Sequence, residues 1–142
     1  MADPKTYRGT CFCKAVEIEA SGAPAVMAFC HCESCRTWLS APIHGATLWP
    51  GANVKLVRGE LGTVKKTEAS HRQFCVKCGG RVMVLHPAIG MTDVPAVVLP
   101  EVAFQPTMHV HYGEKVLAVR DGLPKFKDFP KEFGGTGDTL PE

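Results

Sequence analysis

A chain of 142 residues with 45% apolar and 21% charged residues has room for one modest hydrophobic core and is too apolar for a disordered segment. Its net charge of +2 and pI near 8.2 fall short of the concentrated basic charge of a nucleic-acid binder, so no nucleic-acid partner is expected. No stretch reaches the roughly 18 uninterrupted apolar residues of a membrane helix, and no membrane partner is expected either.

The opening Met1-Ala2-Asp3-Pro4-Lys5-Thr6 is polar where a signal peptide would be apolar, which points to a cytoplasmic location. Apolar and polar residues then alternate over 15–20, the period of a half-buried strand. A second strand is expected over 26–30, entered through the turn Ser21-Gly22-Ala23-Pro24. Residues 33–39 have the pattern of one or two helical turns. Further strands are expected over 42–49, 54–57, 64–67, 81–85, 94–99 and 108–112. Pro124 and Pro130 break the aromatic spacing of Phe126, Phe129 and Phe133, leaving short turns rather than a helix. The fold class is therefore mainly β. Residues 1–133 are expected to form a single domain and 134–142, rich in glycine, a flexible C-terminal tail.

Seven cysteines in a reducing compartment are more readily explained by metal or thiol chemistry than by disulfides. They fall into three groups: Cys11-Phe12-Cys13, Cys30-His31-Cys32-Glu33-Ser34-Cys35, and Cys75-Val76-Lys77-Cys78-Gly79-Gly80. On a strand, Cys11 and Cys13 would share a face. A C-x-x-C followed by glycine is a tight turn that aims two thiolates at one cation, as Cys75 and Cys78 would. These two pairs together make a closed four-cysteine set suited to a structural zinc. Cys30, Cys32 and Cys35 supply only three sulfurs, so a second zinc there would keep an open, catalytic position. Spacing alone leaves open redox thiols in the middle group, or a mixed set such as Cys30 and Cys32 with Cys75 and Cys78.

Three stretches carry a family resemblance. Gly9-Thr10-Cys11-Phe12-Cys13-Lys14-Ala15-Val16, Phe29-Cys30-His31-Cys32-Glu33-Ser34-Cys35-Arg36 and Arg72-Gln73-Phe74-Cys75-Val76-Lys77-Cys78-Gly79 resemble, in order, the motifs of the glutathione-dependent formaldehyde-activating family. The segments 106–111 and 121–124 are similar to its usual ending, and the resemblance covers about residues 7–130. The sequence departs at Lys14, where the family usually has glycine, and at Trp38-Leu39-Ser40, where smaller residues are commoner.

The resemblance implies a β-tent of antiparallel sheets, stapled by a structural zinc on Cys11, Cys13, Cys75 and Cys78. It also implies a second zinc on Cys30, Cys32 and Cys35, the candidate catalytic residues. The implied activity is that of a carbon–sulfur lyase, joining glutathione to formaldehyde to give S-(hydroxymethyl)glutathione. The expected partners are thus a small thiol and an aldehyde, and an exposed sheet edge leaves room for a homodimer. Two other readings share the motifs or the fold. Centromere protein V carries a related domain, so a zinc-stapled binding module without catalysis is one. A thiol oxidoreductase of the methionine sulfoxide reductase B type is the other. Arg36, Arg72, Lys77 and Arg81 are expected as solvated surface charges, and His31 as a residue facing away from the sulfurs beside it.

Overall fold

The computed structural model describes residues 3–142, so Met1 and Ala2 of the polar opening lie outside the described residues. The chain is mainly β and divides into two compact units, residues 3–25 with 47–104 and residues 26–46 with 105–142. Among the described residues no helix is long and apolar enough to cross a membrane.

In the first unit, β1 (Thr6–Thr10), β2 (Glu17–Ser21) and β5 (Val54–Arg58) form an antiparallel sheet with β2 in the centre. The alternation read in the sequence works as expected on β2. Ile18 and Ala20 are fully buried, while Glu17 and Glu19 face outward. The outer face is held by charge pairing across the strands: Arg8 meets Glu17 at 2.8 Å and Glu19 at 3.2 Å, and Arg58 meets Glu17 at 2.9 Å. Such exposed pairs add little stability singly, but they disfavour a slip in register.

A second sheet of this unit runs β9 (Met91–Pro95), β8 (Arg81–His86), β7 (Ser70–Cys75) and β6 (Leu61–Thr67), antiparallel throughout. Val16, Ile18, Trp49, Val82, Val94 and Leu99 form the centre of the core, each with no exposed surface. Trp49 satisfies its indole N–H there: Nε1 donates to Thr47 Oγ1 at 2.9 Å, and that hydroxyl donates to the Val94 carbonyl at 2.6 Å.

Two expectations for the first unit need correction. The strand expected over 94–99 ends at Pro95, after which Ala96–Val98 turns as a 3-10 helix with Val97 exposed. Proline has no N–H to offer the ladder, so the apolar run stops being a strand there. Cys11 to Ala15 is a turn and not the continuation of a strand, closed by the Lys14 N–H on the Cys11 carbonyl at 3.1 Å.

In the second unit, β3 (Val26–Cys30) lies between a two-residue parallel strand, β10 (His109–Val110), and β4 (His44–Pro50), of which residues 44–46 belong to this unit. The strand expected over 108–112 is thus cut to two residues, because His111 takes a left-handed backbone (φ 51) and Tyr112–Glu114 turns as a 3-10 helix. The helix α1 (Glu33–Leu39) follows β3 directly and occupies the residues expected of it. The last residues are fastened to the preceding segment. Lys127 N–H donates to the Asp138 carbonyl and Leu140 N–H to the Lys125 carbonyl, both at 2.8 Å.

Lys14 has φ 67, a left-handed conformation that costs a side-chain-bearing residue about 1–2 kcal/mol. Glycine avoids that cost but loses about 0.5–1 kcal/mol to chain entropy in the unfolded state. Lys14→Gly is therefore expected to stabilise the protein by roughly 0.5 kcal/mol, read from denaturant unfolding. A destabilised variant would show that the Lys14 side chain contributes contacts that outweigh its backbone strain.

Candidate metal centres

The sulfurs gather in two places. Those of Cys11, Cys13, Cys75 and Cys78 all lie within 4.8 Å of one another in the first unit, and those of Cys30, Cys32 and Cys35 do so in the second. All seven are free cysteines.

The four-sulfur cluster is built by two turns. One is the Cys11–Ala15 turn. The other follows β7, where the Gly79 N–H donates to the Cys75 carbonyl at 2.8 Å and Gly79 itself takes φ 74. Backbone N–H groups point at three of the sulfurs: Val16 at Cys11 (3.3 Å), Lys77 at Cys75 (3.4 Å) and Gly80 at Cys78 (3.3 Å). Such donors favour thiolates. The Gly80 N–H is the leading cause that lowers the Cys78 thiol to about 6. Cys11 to Cys13 measures 3.7 Å and Cys13 to Cys75 3.8 Å. A tetrahedron with metal–sulfur bonds of about 2.3 Å has edges of about 3.8 Å. The donors therefore match a tetrahedral thiolate site in number, kind and spacing.

The three-sulfur cluster sits where β3 passes into α1. Cys30 ends the strand and is buried, Cys32 is the N-cap of the helix, and Cys35 lies in its first turn. The Cys35 N–H donates to Cys32 Sγ at 3.3 Å, so the cap is a sulfur in place of the usual oxygen. Contacts among the three separate their proton affinities. Hydrogen bonds with Cys30 and Cys35 lower the Cys32 thiol, and the contacts with Cys32 and Cys35 push Cys30 upward.

The segment around this trio is clamped by groups whose role the sequence did not reveal. Arg36, expected as a solvated charge, donates from Nε to the His31 carbonyl at 2.9 Å and from Nη2 to the Glu114 carbonyl at 3.0 Å. Glu114 Oε1 accepts the Glu33 N–H at 3.1 Å, and its other oxygen meets His111 Nδ1 at 3.3 Å. The sequence offered one sign of this, the basic residue immediately after the third cysteine.

His31 lies in the core. It is fully buried, with Nε2 at 2.8 Å from His109 Nδ1, and it meets Tyr112 edge-on. His109, also fully buried, meets Asp121 Oδ2 through Nε2 at 2.7 Å. Asp121 Oδ1 accepts from Lys125 Nζ at 2.5 Å, and Lys125 also donates to the Leu123 carbonyl at 2.8 Å and to Glu142 at 3.3 Å. Burial alone would discharge Lys125, but the Asp121 and Glu142 carboxylates hold its pKa above the ordinary value. Desolvation likewise acts to raise Asp121, and the hydrogen bonds from Lys125 and His109 outweigh it, holding the carboxyl well below the usual range. A lysine is among the residues least often buried, so nothing in the pattern of the sequence flagged Lys125.

A model of the family described as glutathione-dependent formaldehyde-activating enzyme matches residues 6–114. A Schizosaccharomyces pombe protein named as an uncharacterized lyase is 32% identical over 73 residues, covering 51% of this chain and 53% of that one. The match thus spans about half the length of this curated relative. A crystal structure of a Rhodobacter sphaeroides protein aligns with a TM-score of 0.56 at 25% identity, covering 68% of this chain and 90% of that one.

Removing Lys125 would leave Asp121 charged beside a buried histidine. Lys125→Met is expected to lower stability at neutral pH by on the order of 2 kcal/mol, below the usual figure for a fully buried pair because the Asp121 side chain is 28% exposed. The Asp121 pairing contributes in full above the unfolded carboxyl value of about 3.9 and is lost as pH falls through the depressed folded value. The gap between the two proteins should accordingly narrow as the pH is taken below about 3.9 in denaturant titrations. An unchanged gap would mean that the ammonium acts through packing alone.

Proposed function

As the chain belongs to the glutathione-dependent formaldehyde-activating enzyme family, we propose that it is a zinc-dependent carbon–sulfur lyase that adds a small thiol, glutathione first among candidates, to formaldehyde or a related small carbonyl compound. The observation that carries this reading is the second cluster. Three cysteine sulfurs lie within 4.8 Å of one another, one donor short of a closed tetrahedron. In this reading Cys11, Cys13, Cys75 and Cys78 hold a structural zinc, and Cys30, Cys32 and Cys35 hold a catalytic one. The name of the yeast relative is in keeping with lyase chemistry.

Cys30, Cys32 and Cys35 would hold the zinc, and its exchangeable position would favour the ionised form of an incoming thiol. Three thiolates leave that centre with a net charge of −1, so thiol activation fits better than polarisation of a carbonyl. The reaction is an addition. A carbon–sulfur bond forms between the thiol sulfur and the carbonyl carbon, and the carbonyl π pair moves to oxygen. That oxygen gains a proton equivalent to the one the thiol lost, and nothing is oxidised or reduced.

The chain's own groups fix the geometry of the donors. The Cys35 N–H holds Cys32 Sγ, and Arg36 holds the carbonyl of the residue between Cys30 and Cys32. With Nε and Nη2 each bonded to a backbone carbonyl, the Arg36 guanidinium acts as a brace for the donor loop.

Elemental analysis of protein purified without chelator is expected to find two zinc per chain and one in Cys32→Ser. The variant is also expected to lose formation of the thiol–formaldehyde adduct by at least about 100-fold while keeping its fold. Full activity in a folded Cys32→Ser protein that has lost one zinc would overturn the reading. One zinc in both proteins would favour a zinc-stapled binding module.

A further inference from the structure

The helix that carries Cys35 brings one large aromatic side chain to the same side. α1 buries no residue completely, yet its exposure is uneven: Cys35, Arg36, Trp38 and Leu39 are half-buried, while Glu33, Ser34 and Thr37 are exposed. Trp38 and Leu39 follow Cys35 by three and four positions, the spacing of side chains that meet on one helix face. Helical side chains lean toward the N-terminus, so each covers the turn before its own Cα. That turn holds Ser34 and Cys35 for Trp38, and Ser34 is exposed. The indole is thereby placed beside Cys35. It is no core residue like Trp49, which has no exposed surface.

The burial of the three cysteines shows which way a ligand comes in. Cys30 is buried, whereas Cys32 and Cys35 are both half-buried, so the cluster is reached on its Cys32–Cys35 side, where α1 begins. The helix beside that approach is fixed along its length. Cys32 Sγ accepts the Cys35 N–H at its start, and Thr37 Oγ1 donates to the Glu33 carbonyl at 2.8 Å. At its end the N–H groups of Ser40, a left-handed residue (φ 53), and of Ala41 return to the Arg36 carbonyl. The Arg36 side chain is tied in turn to the His31 and Glu114 carbonyls.

We infer that Trp38 is a specificity-determining residue: it walls the approach to the fourth position of the second cluster, admits thiols whose sulfur is carried on an unbranched CH2 group, and excludes those whose sulfur is on a tertiary carbon. This rests on the proposed function, in which the fourth position is the place of the thiol. The reason is steric. A flat ring on a braced helix lets a slender CH2–S stem pass along its face with apolar contact. Two methyl groups on that carbon need room that the ring yields only by leaving its rotamer or shifting the helix. A small side chain at this position would leave the room open.

Cobalt in place of zinc reads this without catalysis. A thiolate entering the fourth position adds sulfur-to-cobalt absorption, while the four-sulfur site has no position left to fill. The probes are N-acetylcysteine and N-acetylpenicillamine, which differ only by two methyl groups on the carbon that bears the sulfur. In the cobalt-loaded protein the branched thiol is expected to bind at least about 10-fold more weakly than the unbranched one. In Trp38→Ala the two are expected to bind within about 3-fold of each other, with the metal content unchanged, and in Trp38→Phe the ratio is expected to fall between. Equal affinities in the unsubstituted protein, or an unchanged ratio in a folded Trp38→Ala protein, would overturn the inference and leave the proposed reaction standing. Where Trp38→Ala fails to fold, Trp38→Phe supplies the comparison, and an unchanged ratio there has the same meaning. No spectral response to either thiol in any of the proteins would overturn the open position itself, and this inference with it.

Discussion

Four cysteine sulfurs brought within 4.8 Å of one another from two turns far apart in the chain are the constraint on which the first unit rests. Sulfurs that close favour thiolates only if a cation shares them, and here two of the four, Cys11 and Cys75, are buried while Cys13 is exposed. The turns that present them are correspondingly specific. Val16, Lys77 and Gly80 lend backbone N–H groups to the sulfurs, while the strands that lead into the turns are paired with their neighbours. Metal binding and folding would therefore be one event, with a share on the order of 10 kcal/mol for a structural thiolate site.

The second unit solves a different problem, the burial of polar side chains. Lys125, His31 and His109 have almost no exposed surface, yet each has a defined partner within hydrogen-bond distance. The bonds run in one line from Asp121 through His109 to His31. Around it Arg36 and Glu114 tie the donor loop to Tyr112–Glu114. The loop that carries three sulfurs has fewer donors than the four-sulfur cluster to fix it. These side-chain bonds hold it.

Much of this was legible before any coordinates. Spacing described the turn that carries Cys75 and Cys78 but left a mixed set of sulfurs open; the family resemblance implied the four-and-three grouping that the structure has, and the C-x-C pair, read on a strand, stands in a turn. The strands with clean alternation, β2 above all, stand where the pattern puts them. β7 was missed because Ser70–Cys75 is polar and evenly half-buried; it is a strand because β6 and β8 pair with it, and no apolar face announces it. The truncation at Pro95 was present in the sequence as a proline and was overridden by the apolar run around it. The Asp121–Lys125 pair and the contact between His109 and His31 had no local signature at all. Residues 31, 109, 121 and 125 become neighbours only through the parallel pairing of β3 with β10 and the return of the chain after it.

The most direct test of the account is X-ray absorption at the zinc edge on protein purified without chelator, with the metal content determined on the same sample. Two zinc per chain with a sulfur shell at about 2.3 Å, averaging between three and four sulfurs per metal, is the predicted result. A single zinc with four sulfurs, or a first shell dominated by nitrogen and oxygen, would contradict it.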